Sequence, residues 1–289
     1  IFSSIKDGSI GSQMFHLLGD PGLKIALPSN HVEITSVEPD TLTALSPGSY
    51  YGTVSQIPIG DGSGFVTVSD AERTIKRFYD NDSYSEEIKY KIPGNTLFRG
   101  KLLFNKGSFD GSFILPKDIT SSIGGKLSVY LYNFQKDILW EGLGLNEGLV
   151  LRGGTTNPID SNGPIISFGL DGRTLQTGDN ISTGKDLIIS ISDPLGINIT
   201  GNIGHGIRIW LGEDEENSSD LTNGFLYLEG SHTSGSVIFP LSDALPGEIS
   251  INVEAWDNAN NVSQESITLN INSNKTLELT NIFNYPNPF

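Results

Sequence analysis

The sequence predicts an all-β protein built from two immunoglobulin-like β-sandwich domains. Three observations predict it. Glycine is abundant, 34 of 289 residues, against a single methionine, which is the usage of strands and turns more than of helices. Apolar and polar residues alternate with period two, as in "DLIISISD", where Leu187, Ile189 and Ile191 oppose Ser190 and Ser192. Strand-length runs bounded by Gly, Asn, Asp and Pro recur through residues 160–272.

Along the chain, residues 1–31 fit neither sandwich. "GSQMFHLLGDPGL" has a short helical turn at Gln13–Leu18, stopped by Gly19 and Pro21, and "LKIALP" reads as the last strand of another domain. There is no initiator Met and no signal-peptide pattern, so the chain reads as an internal segment of a longer protein. Residues 32–154 hold the first sandwich with its connector. Its strand candidates are "GFVTVSD", "TLFRGKLLF", "GSFILPKD" and "KLSVYLYN", with Leu127, Val129 and Leu131 inward and Pro116 ending its strand.

The boundary falls near Gly154–Pro164, in "TTNPIDSNGP", where few contacts are expected to cross. Residues 160–272 form the second sandwich. In "IRIWLGE" Ile207, Ile209 and Leu211 face inward, opposite Arg208 and Trp210. In "ISINVEAWD" Ile249, Ile251, Val253 and Ala255 do so, opposite Ser250, Asn252, Glu254 and Trp256. In "SITLNIN" the inward residues are Ile267, Leu269 and Ile271. Residues 273–289 read as a linker, since the two prolines of "NYPNPF" deny donors and favour extended backbone.

Composition excludes several functions. The formal charge is −16, from 34 acidic against 18 basic residues, so phosphate backbones and anionic membranes are disfavoured partners. There is no cysteine, hence no disulfide, thiolate metal site or cysteine nucleophile in this chain. No apolar run approaches the ~20 residues of a membrane span.

No catalytic, cofactor-binding or metal residue is assigned. "GLGLNEG", residues 142–148, has the wrong spacing for a dinucleotide fingerprint and is read as a turn between strands. His16, His31, His205 and His232 show no metal-ligand spacing, and no nucleophile elbow is present. Asp257, Asn258 and Asn260 cluster oxygens at a strand end, as a hard cation such as calcium needs. "GEDEENSSD" adds Glu213, Asp214, Glu215, Glu216 and Asp220. The competing reading is an Asx-rich hairpin turn beside a solvated acidic loop. It is preferred because the ordered spacing of an EF-hand-type loop is absent.

Five stretches, in chain order, resemble one family. "FHLLGDPGLKIALP" is similar to the end of the catalytic region of gingipain-type cysteine peptidases. "GSFDGSFILPKDITSSIGGKLSVYLYN", "GINITGNIGHGIRIWLGED", "PLSDALPGEISINVEAWDNANN" and "NYPNPF" resemble the region C-terminal to the catalytic domain in the PorU sortases of the type IX secretion system. The resemblance implies that residues 1–31 are the tail of a caspase-like catalytic domain. It also implies that 273–289 lead toward a C-terminal sorting or FlgD-like domain. The parent would be an extracellular or outer-membrane-surface endopeptidase whose partners are secreted protein substrates and secretion-system components. The family's catalytic His and Cys lie upstream of "LLGDP", so no residue here inherits a catalytic role. Two alternatives stand beside this. One is a gingipain-like peptidase that is itself type IX cargo. The other is an adhesion or carbohydrate-binding β-module.

Overall fold

A computed structural model describes residues 27–28, 30–54, 60–81, 84–135, 138–154, 160–202, 205–241 and 246–272. The expectations for residues 1–26 and 273–289 lie outside the described residues. The chain is all-β, as its alternation dictates, and two three-residue 3-10 turns are the helical elements among the described residues. No helix there is long and apolar enough to cross a membrane.

Ten strands come from the first sequence block. They are β1 (Asn30–Glu38), β2 (Thr41–Thr43), β3 (Pro47–Val54), β4 (Gly62–Ser69), β5 (Arg73–Asn81), β6 (Tyr84–Ile92), β7 (Thr96–Phe104), β8 (Ser108–Ile114), β9 (Ser122–Gln135) and β10 (Ile138–Arg152). Strands β7, β4, β9 and β10 are neighbours in that order, and β1, β3 and β8 continue the sheet. It folds over so that Phe113 of β8 meets Phe98 of β7, with ring centroids 5.9 Å apart. Leu127, Val129 and Leu131 are fully buried, as their alternation requires.

The second block supplies β11 (Ile165–Leu170), β12 (Arg173–Thr174), β13 (Asn180–Ser182), β14 (Asp186–Ser192), β15 (Arg208–Leu211), β16 (Ser219–Asp220), β17 (Leu226–Tyr227), β18 (Ser234–Pro240), β19 (Gly247–Trp256) and β20 (Val262–Asn272). A five-stranded sheet runs β13-β20-β19-β15-β16, while β12-β11-β14-β18-β17 joins the first block's sheet where Tyr227 pairs with Gly100 of β7. Buried residues of both blocks form one contiguous apolar cluster.

Three differences from the sequence-based expectation are informative. "GLGLNEG" is neither phosphate loop nor turn but the middle of β10. Its small residues admit β1: a Cβ on Gly142 would lie 2.7 Å from Val32 Cγ2, and one on Gly144 2.5 Å from the Val32 carbonyl oxygen. Leu211, expected inward, is 38% exposed, while Trp210 is 9% exposed, because β15 ends there and the Arg208 guanidinium lies 6.0 Å over the indole. The hairpin β5–β6 was not anticipated. Its alternation is masked by charge, with Lys76 and Lys89 both pairing with Glu87.

The joint also carries more contacts than expected. Asn258 is fully buried in the turn between β19 and β20. Its Nδ2 donates to Ile114 O at 3.2 Å and to Leu195 O at 2.8 Å. Its main-chain N donates to Gly196 O, and its carbonyl accepts Lys117 N at 2.8 Å. Around it, Asn260 Nδ2 donates to Asp118 Oδ1, Arg99 donates to the carbonyls of Thr222 and Phe225, and Tyr227 stacks on Phe98 at 4.6 Å. Loops at this end of both blocks converge, so hydrogen bonds that a linear reading assigns to separate turns are made between them.

Asn258→Ala leaves the Ile114 and Leu195 carbonyls without their donor but also removes an enclosed Oδ1 that has no partner among the described residues. The balance is a loss of about 1–3 kcal/mol, read as a lower midpoint in urea; a change under ~0.5 kcal/mol contradicts the bracing role. Limited proteolysis should cut first within Gly153–Pro164, yet the two fragments should co-elute on size exclusion. Separation under native conditions would show that the cross-block bonds are too weak to hold them.

Candidate functional site

The turn singled out in the sequence is divided by the structure. Of Asp257, Asn258 and Asn260, Asp257 alone joins an acidic group. Asn258 is the brace described above. Asn260 Nδ2 reaches Asp118, its Oδ1 accepts Asn198 Nδ2, and its backbone takes φ 72°, which Asn tolerates. The acidic loop stays apart and exposed. Glu215 pairs with Arg208, Asp214 accepts from Asn217, and Asp220 Oδ1 accepts Thr222 N.

Asp257 meets two residues that sequence reasoning did not connect with it. Ligand oxygens of Asp160, Asp193 and Asp257 lie within 4.8 Å of one another. Local hydrogen bonding fixes each one. Asp193 closes β14, and its Oδ1 accepts Leu195 N at 2.7 Å. Asp257 closes β19, and its carboxylate accepts Asn261 N at 2.7 Å and Asn261 Nδ2 at 2.8 Å. Asp160 sits at the end of the connector, where its Oδ1 accepts Asn162 N and its carbonyl accepts Asn261 Nδ2. All three are Asx turns at one end of the second block.

The electrostatics are unfavourable for three charges. Asp193 is 5% exposed. Burial pushes its carboxyl up to about 6, with the Asp257 and Asp160 charges adding to the effect and the Leu195 amide opposing it. Burial also raises Asp257, Asp160 repels it, and Asn261 opposes the shift. No Lys, Arg or His pairs with any of the three among the described residues. An all-oxygen donor set of this kind is what a hard divalent cation takes, and otherwise the group retains a proton into mild acid.

No catalytic relay is assembled among the described residues. Ser112 Oγ shares a 2.8 Å hydrogen bond with His232 Nδ1, and His205 Nδ1 lies 3.2 Å from Asp118 Oδ2. These are different histidines, so the Ser–His and His–Asp halves of a triad are never joined. Both pairs cross between the blocks and act as ties. His31 is an exposed residue of β1, and His16 lies outside the described residues.

The raised Asp193 gives a pH prediction. Its folded value, about 6, exceeds the usual 3.8, so between these values the folded chain holds a proton that the unfolded chain has lost. Stability therefore falls as pH rises through that window, and the full penalty is present above it. Asp193→Asn keeps an acceptor for Leu195 N and removes the charge. The variant should be more stable than the parent by about 1–3 kcal/mol at pH 7.5, with the gain vanishing near pH 4. Denaturant unfolding at the two pH values measures it, and a destabilised variant at pH 7.5 contradicts the reading.

No family model matches the sequence, and no curated protein matches it. Among solved structures, dimeric latent PorU from Porphyromonas gingivalis aligns with 94% of this chain and 27% of its own, at 22% identity and a TM-score of 0.48. A tetra-tandem repeat from the extending region of a large adhesion protein covers 84% of this chain and 49% of its own, at 14% identity and a TM-score of 0.23. The sporulation control protein Spo0M from Bacillus subtilis covers 84% of this chain and 91% of its own, at 10% identity and a TM-score of 0.25. The chain thus spans less than a third of the PorU chain's length.

Proposed function

We propose that this chain is a non-catalytic β portion of a secreted or surface-held cysteine endopeptidase resembling the type IX secretion sortases. In this reading the parent processes the sorting signal of exported cargo. Its thiolate, activated by a neighbouring base, sits on a catalytic domain outside this chain. The present residues hold that domain at the cell surface and offer loops to secreted substrates and secretion-system components. Residues 1–31 belong to the catalytic domain, 32–154 and 160–272 are the two sandwiches, and 273–289 lead to a further domain.

The observation that supports this reading is the ordered set of sequence stretches that resemble the family. Two of them have a shared physical purpose. Ile114, Lys117 and Asp118 of "GSFDGSFILPKDI" bond to Asn258 and Asn260 of "EAWDNANN". Residues that look like family signatures are therefore the residues that tie the blocks together, as a scaffold role requires.

The isolated chain should cleave no peptide substrate, with or without a thiol-directed inhibitor. The full-length parent should cleave a cargo sorting-signal peptide and lose this on Cys→Ala substitution upstream of Ile1. Thiol-sensitive cleavage by the isolated chain, or a parent with no such cysteine, would overturn the proposal.

A further inference from the structure

The outer face of the five-stranded sheet is built unlike an ordinary solvated sheet face. Glu254 pairs across β19 and β20 with Gln264, and across β19 and β15 with Arg208. Arg208 pairs in turn with Asp220 of β16. Residues directly opposite one another share a face, so these four form one polar row across four strands. The row is tightly bonded: Glu254 Oε1 accepts Arg208 Nε at 3.0 Å, and its Oε2 accepts Gln264 Nε2 at 2.8 Å. Two residues beyond Glu254 on the same face is Trp256, whose Nε1 also donates to Glu254 at 3.4 Å.

Above this row the surface is concave. A cleft of about 380 Å³ is lined by Asn202, His205, Arg208, Asp220, Glu254 and Trp256, among others. That volume lies within the ~300–1,000 Å³ of small-ligand sites. The His205 ring meets the indole of Trp256 edge-on at 4.9 Å and is held by Asp118, while Asn202 Oδ1 accepts Asn95 Nδ2 at 2.8 Å. The walls are therefore fixed before any ligand arrives, which lowers the entropy cost of binding.

We infer that this cleft binds a neutral saccharide, with one sugar face on the Trp256 indole and hydroxyls bonded to Asp220, Arg208 and Asn202. Charge and shape select this ligand class. The polar row alternates in sign, with one guanidinium between two carboxylates. An anion meets those carboxylates in a chain of charge −16, and a cation meets the guanidinium already in place. A polyhydroxylated ring both donates and accepts, so it satisfies carboxylate, amide and guanidinium together. Its C–H face suits an indole that would otherwise be an expensive residue on a wet strand face.

The test titrates the chain with maltopentaose, cellopentaose, mannopentaose and chitopentaose, read by tryptophan emission and calorimetry. Hyaluronan fragments and oligolysine serve as charged probes. One neutral class should bind with a Kd of about 1 mM or tighter. Trp256→Ala and Asp220→Asn should each weaken it, the first by at least about tenfold. Asp220→Asn keeps the acceptor for Thr222 N, and Trp256→Phe keeps a stacking ring. If Trp256→Ala fails to fold, loss of binding in Asp220→Asn with binding kept in Trp256→Phe supports the inference, and binding unchanged in Asp220→Asn overturns it. Exposed Glu229→Gln should leave binding unchanged. Absence of binding to all four neutral sugars at about 10 mM overturns the inference. So does binding that both cleft variants leave intact, or tighter binding of either charged probe.

Discussion

The structure turns on one buried amide. From the β19–β20 turn, Asn258 binds the exit of β8 and the turn after β14 at once, through two side-chain and two main-chain hydrogen bonds. A carboxylate of the same shape could not donate to two carbonyls, and a smaller side chain could not reach them. Gly196 completes the knot at φ 83°. A Cβ there would lie 2.8 Å from the Tyr227 hydroxyl and 2.9 Å from Asn258 Nδ2, so glycine is required both by backbone and by space. Tyr227 is drawn in from the other side, donating to Ile197 O while its ring stacks on Phe98. Polar satisfaction and aromatic packing thus close the same seam.

The acidic group is a consequence of that seam. Because Asn258 bonds to Leu195 and Gly196, the turn that begins at Asp193 is pinned against the turn that begins at Asp257. Asn261, fixed by Asp257, then captures the Asp160 carbonyl and brings in the third carboxylate. Each Asp on its own is good turn chemistry. Their convergence raises the energy of the charged state because low exposure removes the water that would screen it. Local stability of three turns is gained at the expense of electrostatics at their meeting point.

What was legible in the sequence was whatever repeats at period two. Leu187, Ile189 and Ile191 of β14 and Ile267, Leu269 and Ile271 of β20 lie in the core as alternation places them. Alternation fails where something other than burial sets the residue. Gly142 and Gly144 look like punctuation in one dimension and are a close strand approach in three. Leu211 keeps its place opposite Ile251 but is exposed where β15 ends, while Trp210, opposite Asn252, is covered by the Arg208 guanidinium. The acidic group was half visible. Asp257 stood out for its Asn-rich neighbourhood, whereas Asp160 and Asp193 share the same pattern, an Asp closing a strand or connector, without such company. Asking which strand ends share an edge of the fold would have found them. Nothing in the local sequence marks Asn258 as a brace rather than a turn residue, since its partners lie 144 and 63 positions away.

The seam and the cleft are physically continuous, and His205 is where they meet. One edge of its ring lies against Trp256 in the cleft, and its Nδ1 faces Asp118, which also accepts Asn260 Nδ2 beside the buried amide. Asn202, on the cleft wall, is held from the first block by Asn95. Two of the cleft's polar walls are therefore positioned by residues that the second sheet does not itself contain. A scaffold joined by a few weak contacts would let such a cleft open and close as the blocks shifted. Here the shared apolar cluster and the cross-block bonds keep both walls in one frame, so the geometry of the polar row depends on the seam being closed. The seam and the cleft are built from the same interactions, so loosening the first should blunt the binding proposed for the second.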